Sequence, residues 1–345
     1  MTDAAWETLS NQAIGAAGVV YFIALLVTLA EWASLRQVAT TEPAVAGAGA
    51  AGEAGGVAVA TRQGPEGGDD ATARRTDFLG RLGVLLTVLA CAAHLVALLG
   101  RGMAADPNRV PWGNMYEFTI SGTFVVTLIY LVLMRRYALQ WMAPLVLTFV
   151  TATLMVAVIW LHDEVAPLTE ALNSYWLVIH VVSAVIATGA FTVAGLLSIV
   201  YLVKLRRGGD AAARPGSRVP PLAVLDRVSY RIHAFAFPVW TFAVLITGPI
   251  WAHEAWSRYW NWDPKEVWAF ITWVVYAAYL HARATAGWKG RNAAILACVG
   301  MATLWFNFIG INYFSSTSQH SYAGAEAPAA VADVVPGGPS GSAGG

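Results

Sequence analysis

The stretch YWLVIHVVSAVIATGAFTVAGLLSIVYLV, residues 175–203, contains no Asp, Glu, Lys or Arg and runs directly into Lys204, Arg206 and Arg207. As a helix rising about 1.5 Å per residue it spans roughly 43 Å, well beyond a hydrocarbon core of about 30 Å. One end must therefore protrude. The basic cluster pins its own end at the cytoplasmic interface, so the surplus turns emerge on the other side and lift His180 to the outer surface.

Working outward, further apolar runs occur near 13–35, 82–100, 118–134, 141–161, 234–251, 267–282 and 293–314, each close to the roughly 17–25 residues that a bilayer demands. The expected fold is all-α: a polytopic membrane protein of about eight transmembrane helices. Composition agrees, because 57% of residues are hydrophobic and only 12% charged, about half the charged fraction of a soluble domain. The first run follows Asp3 and Glu7 but no Lys or Arg, so it reads as a retained helix rather than a signal peptide.

Residues 37–78, rich in Ala and Gly with scattered charge, cannot bury a core and read as a disordered cytoplasmic linker, and the tail 323–345 reads the same way. The first helix then occupies 1–36 and the main membrane domain 79–322. The 21 Lys and Arg divide 17 to 4 between alternate sides of the spans, and the richer side is retained in the cytoplasm. Both termini are therefore expected outside, together with the segment 251–268 and His320.

Zero formal net charge and the absence of a Gly-rich sequence ending in Lys-Ser or Lys-Thr leave nucleic-acid and nucleotide binding unsupported. Cys91 and Cys298 are the only cysteines, and no Cys-x-x-Cys-His sequence occurs. The chain is thus not itself a c-type cytochrome, and two isolated thiols build neither a disulfide framework nor a zinc site.

The chemistry concentrates in WAHEAWSRYWNWDPKEVW, residues 251–268, where Trp251, Trp256, Trp260, Trp262 and Trp268 fall beside Asp263, Lys265 and Glu266. Indoles at a headgroup level form an aromatic belt by default. A belt spreads over several helix ends, however, whereas here one connection holds five indoles together with charge. Aromatic walls plus Arg258, Lys265 and indole N–H donors suit a flat, mostly apolar macrocycle with an anionic edge.

This segment resembles the tryptophan-rich WWD signature of the haem-handling membrane protein family, in particular its CcsA/ResC branch. Further matches are VPWGNMYEF at 110–118, NSYWLVIHV at 173–181, YLHAR at 279–283, GWKGRNAAIL at 287–296 and QHSY at 319–322. The resemblance covers about residues 80–322 and implies a membrane subunit of a two-component cytochrome c synthetase. Such a subunit works with a ResB/CcsB-type partner, holds haem b at the outer face of the cell membrane, and supports its thioether attachment to an apocytochrome c carrying Cys-x-x-Cys-His. It further implies that His180 and His320 are the two outer axial ligands, that Trp251, Trp256, Trp260, Trp262, Asp263 and Trp268 face the haem, and that His281 is an intramembrane ligand whose mate lies on the partner.

The remaining histidines carry less. His281 falls about 21 Å below the outer end of its helix, so it belongs to a second, inner station. His94 fits neither depth, His253 has no assigned role, and His162 and His233 are expected to be solvated. The chemistry itself needs only vinyl groups and cysteine sulfurs held in register. The competing classes are a b-type electron-transfer or quinol oxidoreductase subunit and a haem transporter without synthetase activity. With every candidate ligand beyond them, residues 1–78 are expected to be dispensable.

Overall fold

A computed structural model describes residues 1–41, 66–165, 172, 174–212, 217–285, 287–315 and 318. Among these there is no strand. The helices are α1 (Asp3–Thr41), α2 (Glu66–Met103), α3 (Met115–Tyr137), α4 (Ala143–Trp160), α5 (Tyr175–Arg206), α6 (Leu222–Thr241), α7 (Gly248–Trp256), α8 (Pro264–Thr285), α9 (Arg291–Trp305) and the short α10 (Ile311–Phe314). α6 and α7 form one rod joined by a π-helical turn at Phe242–Thr247, and α9 and α10 another, joined by a π turn at Phe306–Gly310. α1 and α2 both run further into the linker than composition suggests, and its centre lies outside the described residues.

Among the described residues, seven rods are long and apolar enough to cross a membrane. α8, the counterpart of the run at 267–282, has 22 residues but falls short in apolarity, because its Trp and Tyr content and its flanking Lys265, Glu266 and Arg283 lower the mean. α5 is the axis of the bundle, touching α3, α6, α7 and α9, while α8 closes the far side against α6 and α9. The capping is legible: Asn114 accepts the Glu117 N–H at the start of α3, and Ser174 accepts the Trp176 N–H at the start of α5. Each cap satisfies a backbone donor that the first turn leaves over.

α1 is part of this core and not an appendage. Ala13, Ile14, Ala17, Tyr21 and Ala24 are buried in the same cluster as side chains of α3, α4 and α5, α1 packs on α2 and α4, and the Ser10 hydroxyl donates to the Ala97 carbonyl at 2.7 Å. Residues 1–78 are expected to be dispensable for the chemistry, yet removing α1 would strip apolar and polar contacts from the core together.

A charged clamp joins three of these elements. The Glu117 carboxylate, fully buried, accepts from Arg101 Nε at 2.9 Å, from Arg109 at 2.6 Å and from the Gly113 backbone N–H at 2.6 Å. Arg101, 1% exposed, also reaches Glu7 of α1 and the Asp163 carbonyl. The clamp folds the 104–114 connection down over the start of α3.

Candidate functional site

α3, α4, α5, the α6–α7 rod, the start of α8 and the α9–α10 rod surround a mainly apolar cavity of about 200 Å³. α1 and α2 contribute no wall to it. Both π turns border it, with Val244 on one and Asn307 and Phe308 on the other. A π turn leaves backbone groups outside the regular ladder, and such turns recur at functional sites.

His180 projects from the second turn of α5 into this cavity. Its Nδ1 donates to the Ala243 carbonyl at 2.9 Å, and that carbonyl lies in the π turn, where it also accepts from the Thr247 hydroxyl at 3.1 Å. Donation through Nδ1 leaves the lone pair on Nε2, the arrangement in which a neighbouring carbonyl orients a ligating imidazole. The ring stacks on Trp251 with centroids 5.8 Å apart and planes 11° from parallel. Gly248 makes this approach possible, because a Cβ there would sit 3.2 Å from His180 Cε1 and Nδ1 and 3.1 Å from the Ala243 oxygen.

The tryptophan-rich segment divides into two groups. Trp251 is buried and packs with Trp112, Leu177 and Val181, backed edge-on by Trp256 at 4.9 Å. Trp260 lines the cavity, and among the described residues nothing accepts its indole N–H. Trp262, by contrast, is 69% exposed with φ +57°, a left-handed backbone uncommon for a bulky residue. Trp268 packs on Phe306 at 4.2 Å. The single surface expected from density alone therefore becomes Trp251 and Trp260 at the cavity, Trp256 and Trp268 behind it, and Trp262 outside.

Asp263, expected to face the haem, is not among the residues that line the cavity. It caps α8: Oδ1 accepts from the Lys265 N–H at 3.0 Å and from the Ser318 hydroxyl at 2.7 Å. Glu266 reaches back to the N–H groups of Asn261 and Asp263 at 2.9 and 3.1 Å, so the pair forms a reciprocal capping arrangement that holds Trp262 in its unusual turn. Lys265 lines the cavity and donates to Asn312 at 3.2 Å. Burial pulls its ammonium down to about 8, against the opposing pull of Asp263.

The other histidines scatter. His320 lies outside the described residues. His281 is exposed on α8, about 24 Å along the axis from Lys265 at 1.5 Å per residue, and is not gathered with His180. His162 is exposed and meets Asn11, while His253 stacks on Tyr259 at 4.3 Å. His233, expected in solvent, is fully buried between Phe191, Tyr276 and Tyr279 with Nδ1 on the Ser229 carbonyl. His94 is also fully buried, edge-on to Tyr21 and Phe124.

The sequence reading missed the Ala243 carbonyl, Asn307, and the contribution of α3 through Met115, Phe118 and Thr119. A signal for the first was present. Pro249 has no N–H for the carbonyl four residues back, and its ring crowds that turn, so Gly248-Pro249 inside an apolar run marks a break in the ladder near 243–247.

These features define a polytopic helical membrane protein with a histidine- and tryptophan-walled cavity opened by two π turns. The family model described as Cytochrome C assembly protein matches residues 112–318, and the chain belongs to that family. It is 31% identical to the Cytochrome c biogenesis protein CcsA of Synechococcus sp. over 303 residues, covering 71% of this chain and 85% of that one. It is likewise 31% identical to the CcsA of Porphyra purpurea over 288 residues, covering 72% and 89%. In fold it is similar to the solved Cytochrome c Heme Lyase CcmF, with a TM-score of 0.58 at 16% identity, covering 89% of this chain and 47% of that longer one. The protein is a multi-pass membrane protein of cytochrome c maturation.

Proposed function

We propose that the chain takes haem b as its substrate, holds it against the cavity with His180 and His320 as exchangeable axial ligands at the outer face of the cell membrane, and presents its vinyl groups to the cysteines of an apocytochrome c. It acts with a ResB/CcsB-type membrane subunit as a holocytochrome c synthase. Trp251 and Trp260 supply flat apolar and aromatic surface for a macrocycle, and Lys265 a cation for its carboxylates. His281, exposed on α8, is proposed as the ligand of a separate inner station shared with the partner subunit.

The observation that carries the reading is the setting of His180: an imidazole fixed through Nδ1 by a π-turn carbonyl, backed by a parallel indole, at the edge of the described cavity. A b-type electron-transfer subunit needs a pair of permanent ligands facing one iron, and His94 and His233 are jacketed by side chains instead of bordering this cavity.

Glycine at either ligand position leaves a gap that free imidazole can fill. His180→Gly and His320→Gly, each purified with the partner subunit, should lose the bis-histidine haem absorption and cytochrome c maturation, and recover part of both when imidazole is supplied. His162→Gly should do neither. Bis-histidine spectra retained by the double variant without imidazole would sink the assignment.

A further inference from the structure

The α6–α7 rod turns one face out of the bundle. Arg227, Arg231, Phe235, Pro238, Phe242 and Ile246 are all exposed, at steps of three and four residues that keep them on one stripe. Ile232, His233, Ala236 and Trp240 of the same helix are buried against the bundle. In a membrane protein an exposed apolar stripe faces lipid, and here two arginines open that stripe at the end where α6 begins.

Their depth follows from the run beyond them. Residues 234–251 are 18 in number, about 27 Å of helix against a hydrocarbon core of about 30 Å. Arg231 lies about 4.5 Å before that run and Arg227 about one turn further out. A headgroup layer is roughly 5–8 Å deep on each side, so Arg231 falls within it and Arg227 at its outer edge. Side chains on a helix lean toward its N-terminus, which at this end is away from the hydrocarbon, so both guanidinium groups reach toward lipid phosphates.

Among the described residues neither guanidinium has an acid to meet. Asp226, next in sequence, is held by Arg283 at 2.6 and 3.0 Å and by the Gly290 N–H at 3.2 Å. Asp210, which accepts the Leu222 N–H at the start of α6, pairs with Lys204 at 2.7 Å. An arginine exposed on a membrane helix is costly unless a counter-charge meets it.

We infer that this face binds an anionic phospholipid, its phosphate held between Arg227 and Arg231 and its acyl chains lying along Phe235, Pro238 and Phe242. Two guanidinium groups one turn apart offer paired N–H donors to phosphate oxygens. An anionic headgroup answers two positive charges that a zwitterionic one, carrying its own cation, leaves largely unmet. These residues line no part of the cavity, so the inference stands apart from the haem reading.

The full-length protein in detergent is titrated with dioleoylphosphatidylglycerol and, separately, with dioleoylphosphatidylcholine, and retained lipid is counted by native mass spectrometry. The native chain should retain phosphatidylglycerol in preference. Arg227→Gln with Arg231→Gln should weaken that retention roughly thirtyfold, about fivefold for each basic residue at an anionic surface. Phosphatidylcholine retention should not change, which certifies the fold of the variant. Lysine at both positions keeps the charge and should keep most of the preference. Arg135→Gln with Arg136→Gln, an equal charge change at the exposed end of α3, should have no effect. Equal retention of the two lipids by the native chain, or an undiminished preference in the Arg227→Gln, Arg231→Gln variant, overturns the proposal. An equal fall in both glutamine pairs also overturns it, by reducing the effect to net charge. If the Arg227→Gln, Arg231→Gln variant keeps its lipid but no longer copurifies with the partner subunit, the face is a protein interface and the lipid site is refuted.

Discussion

His180 and His233 are two histidines with nearly the same immediate chemistry and opposite surroundings. Each places Nδ1 against a backbone carbonyl within 3.0 Å, and each has aromatic neighbours. The carbonyl that serves His233 is Ser229, four residues back on its own helix. The one that serves His180 comes from a different rod, at a π turn, and the far side of the ring meets a cavity instead of Tyr276 and Tyr279. A histidine becomes a candidate ligand through what its second nitrogen faces, and that depends on the backbone of its neighbours more than on its own helix.

The largest expected contrast lies between these two positions. His233→Leu replaces a buried polar ring whose Nε2 has no partner among the described residues with an apolar side chain, a change that can be nearly neutral. Haem content per folded protein should stay within about twofold and the melting temperature should hardly move. His180→Leu should lose nearly all haem absorption at similar stability. Equal haem loss at both positions would erase the distinction between ligand and core histidine.

An intermediate effect is expected at Gly248. Alanine there puts a methyl 3.2 Å from the His180 ring, and overpacking of this kind costs about 1–3 kcal/mol. The ring must yield, so haem affinity should fall by tens of fold while imidazole still rescues it, because the methyl is small enough to coexist with free ligand. Unaltered affinity in Gly248→Ala would mean that the close approach to His180 has no bearing on binding.

The smallest effect concerns pH. The Lys265 ammonium, lowered by burial to about 8, is charged below that pH and neutral above it. Affinity for a carboxylate-bearing porphyrin should thus be flat below about pH 7 and fall above pH 8, by at most about tenfold per unit. Lys265→Met should remove that fall and bind more weakly at pH 7. A slope that persists in Lys265→Met would assign the titration to another group.

Much of this fold was legible because lipid forces each crossing to be a long apolar run, and runs such as 175–203 and 118–134 can be read directly. Positions near run ends were less so. His233, at the cytoplasmic end of its apolar run, is expected in solvent, yet successive residues on a helix turn by about 100°, so Arg231 is exposed while Ile232 and His233 are buried. Trp density singled out the segment 251–268 but could not divide it, since Trp262 and Trp260 have the same side chain and differ only in a turn fixed by Asp263 and Glu266. The π turns escaped because an extra residue in a helix leaves no compositional trace except the nearby Gly248-Pro249. The integration of α1 escaped because Ala13, Ala17 and Ala24 on its buried face serve lipid and helix contact equally well.

The Arg101–Glu117 clamp constrains how the chain can be built. An uncompensated arginine at the centre of a membrane helix costs about 2.5–3.5 kcal/mol on translocon insertion scales, and Arg101 near the end of α2 is fully enclosed. Its countercharges come from two other elements, Glu7 of α1 and Glu117 of α3, the latter sixteen residues later in the chain. Full neutralisation of Arg101 therefore needs both of those helices in place beside α2. Glu7 had already been delivered with α1, so the clamp closes in chain order, and the walls of the cavity are laid down against a foundation whose charges are already balanced.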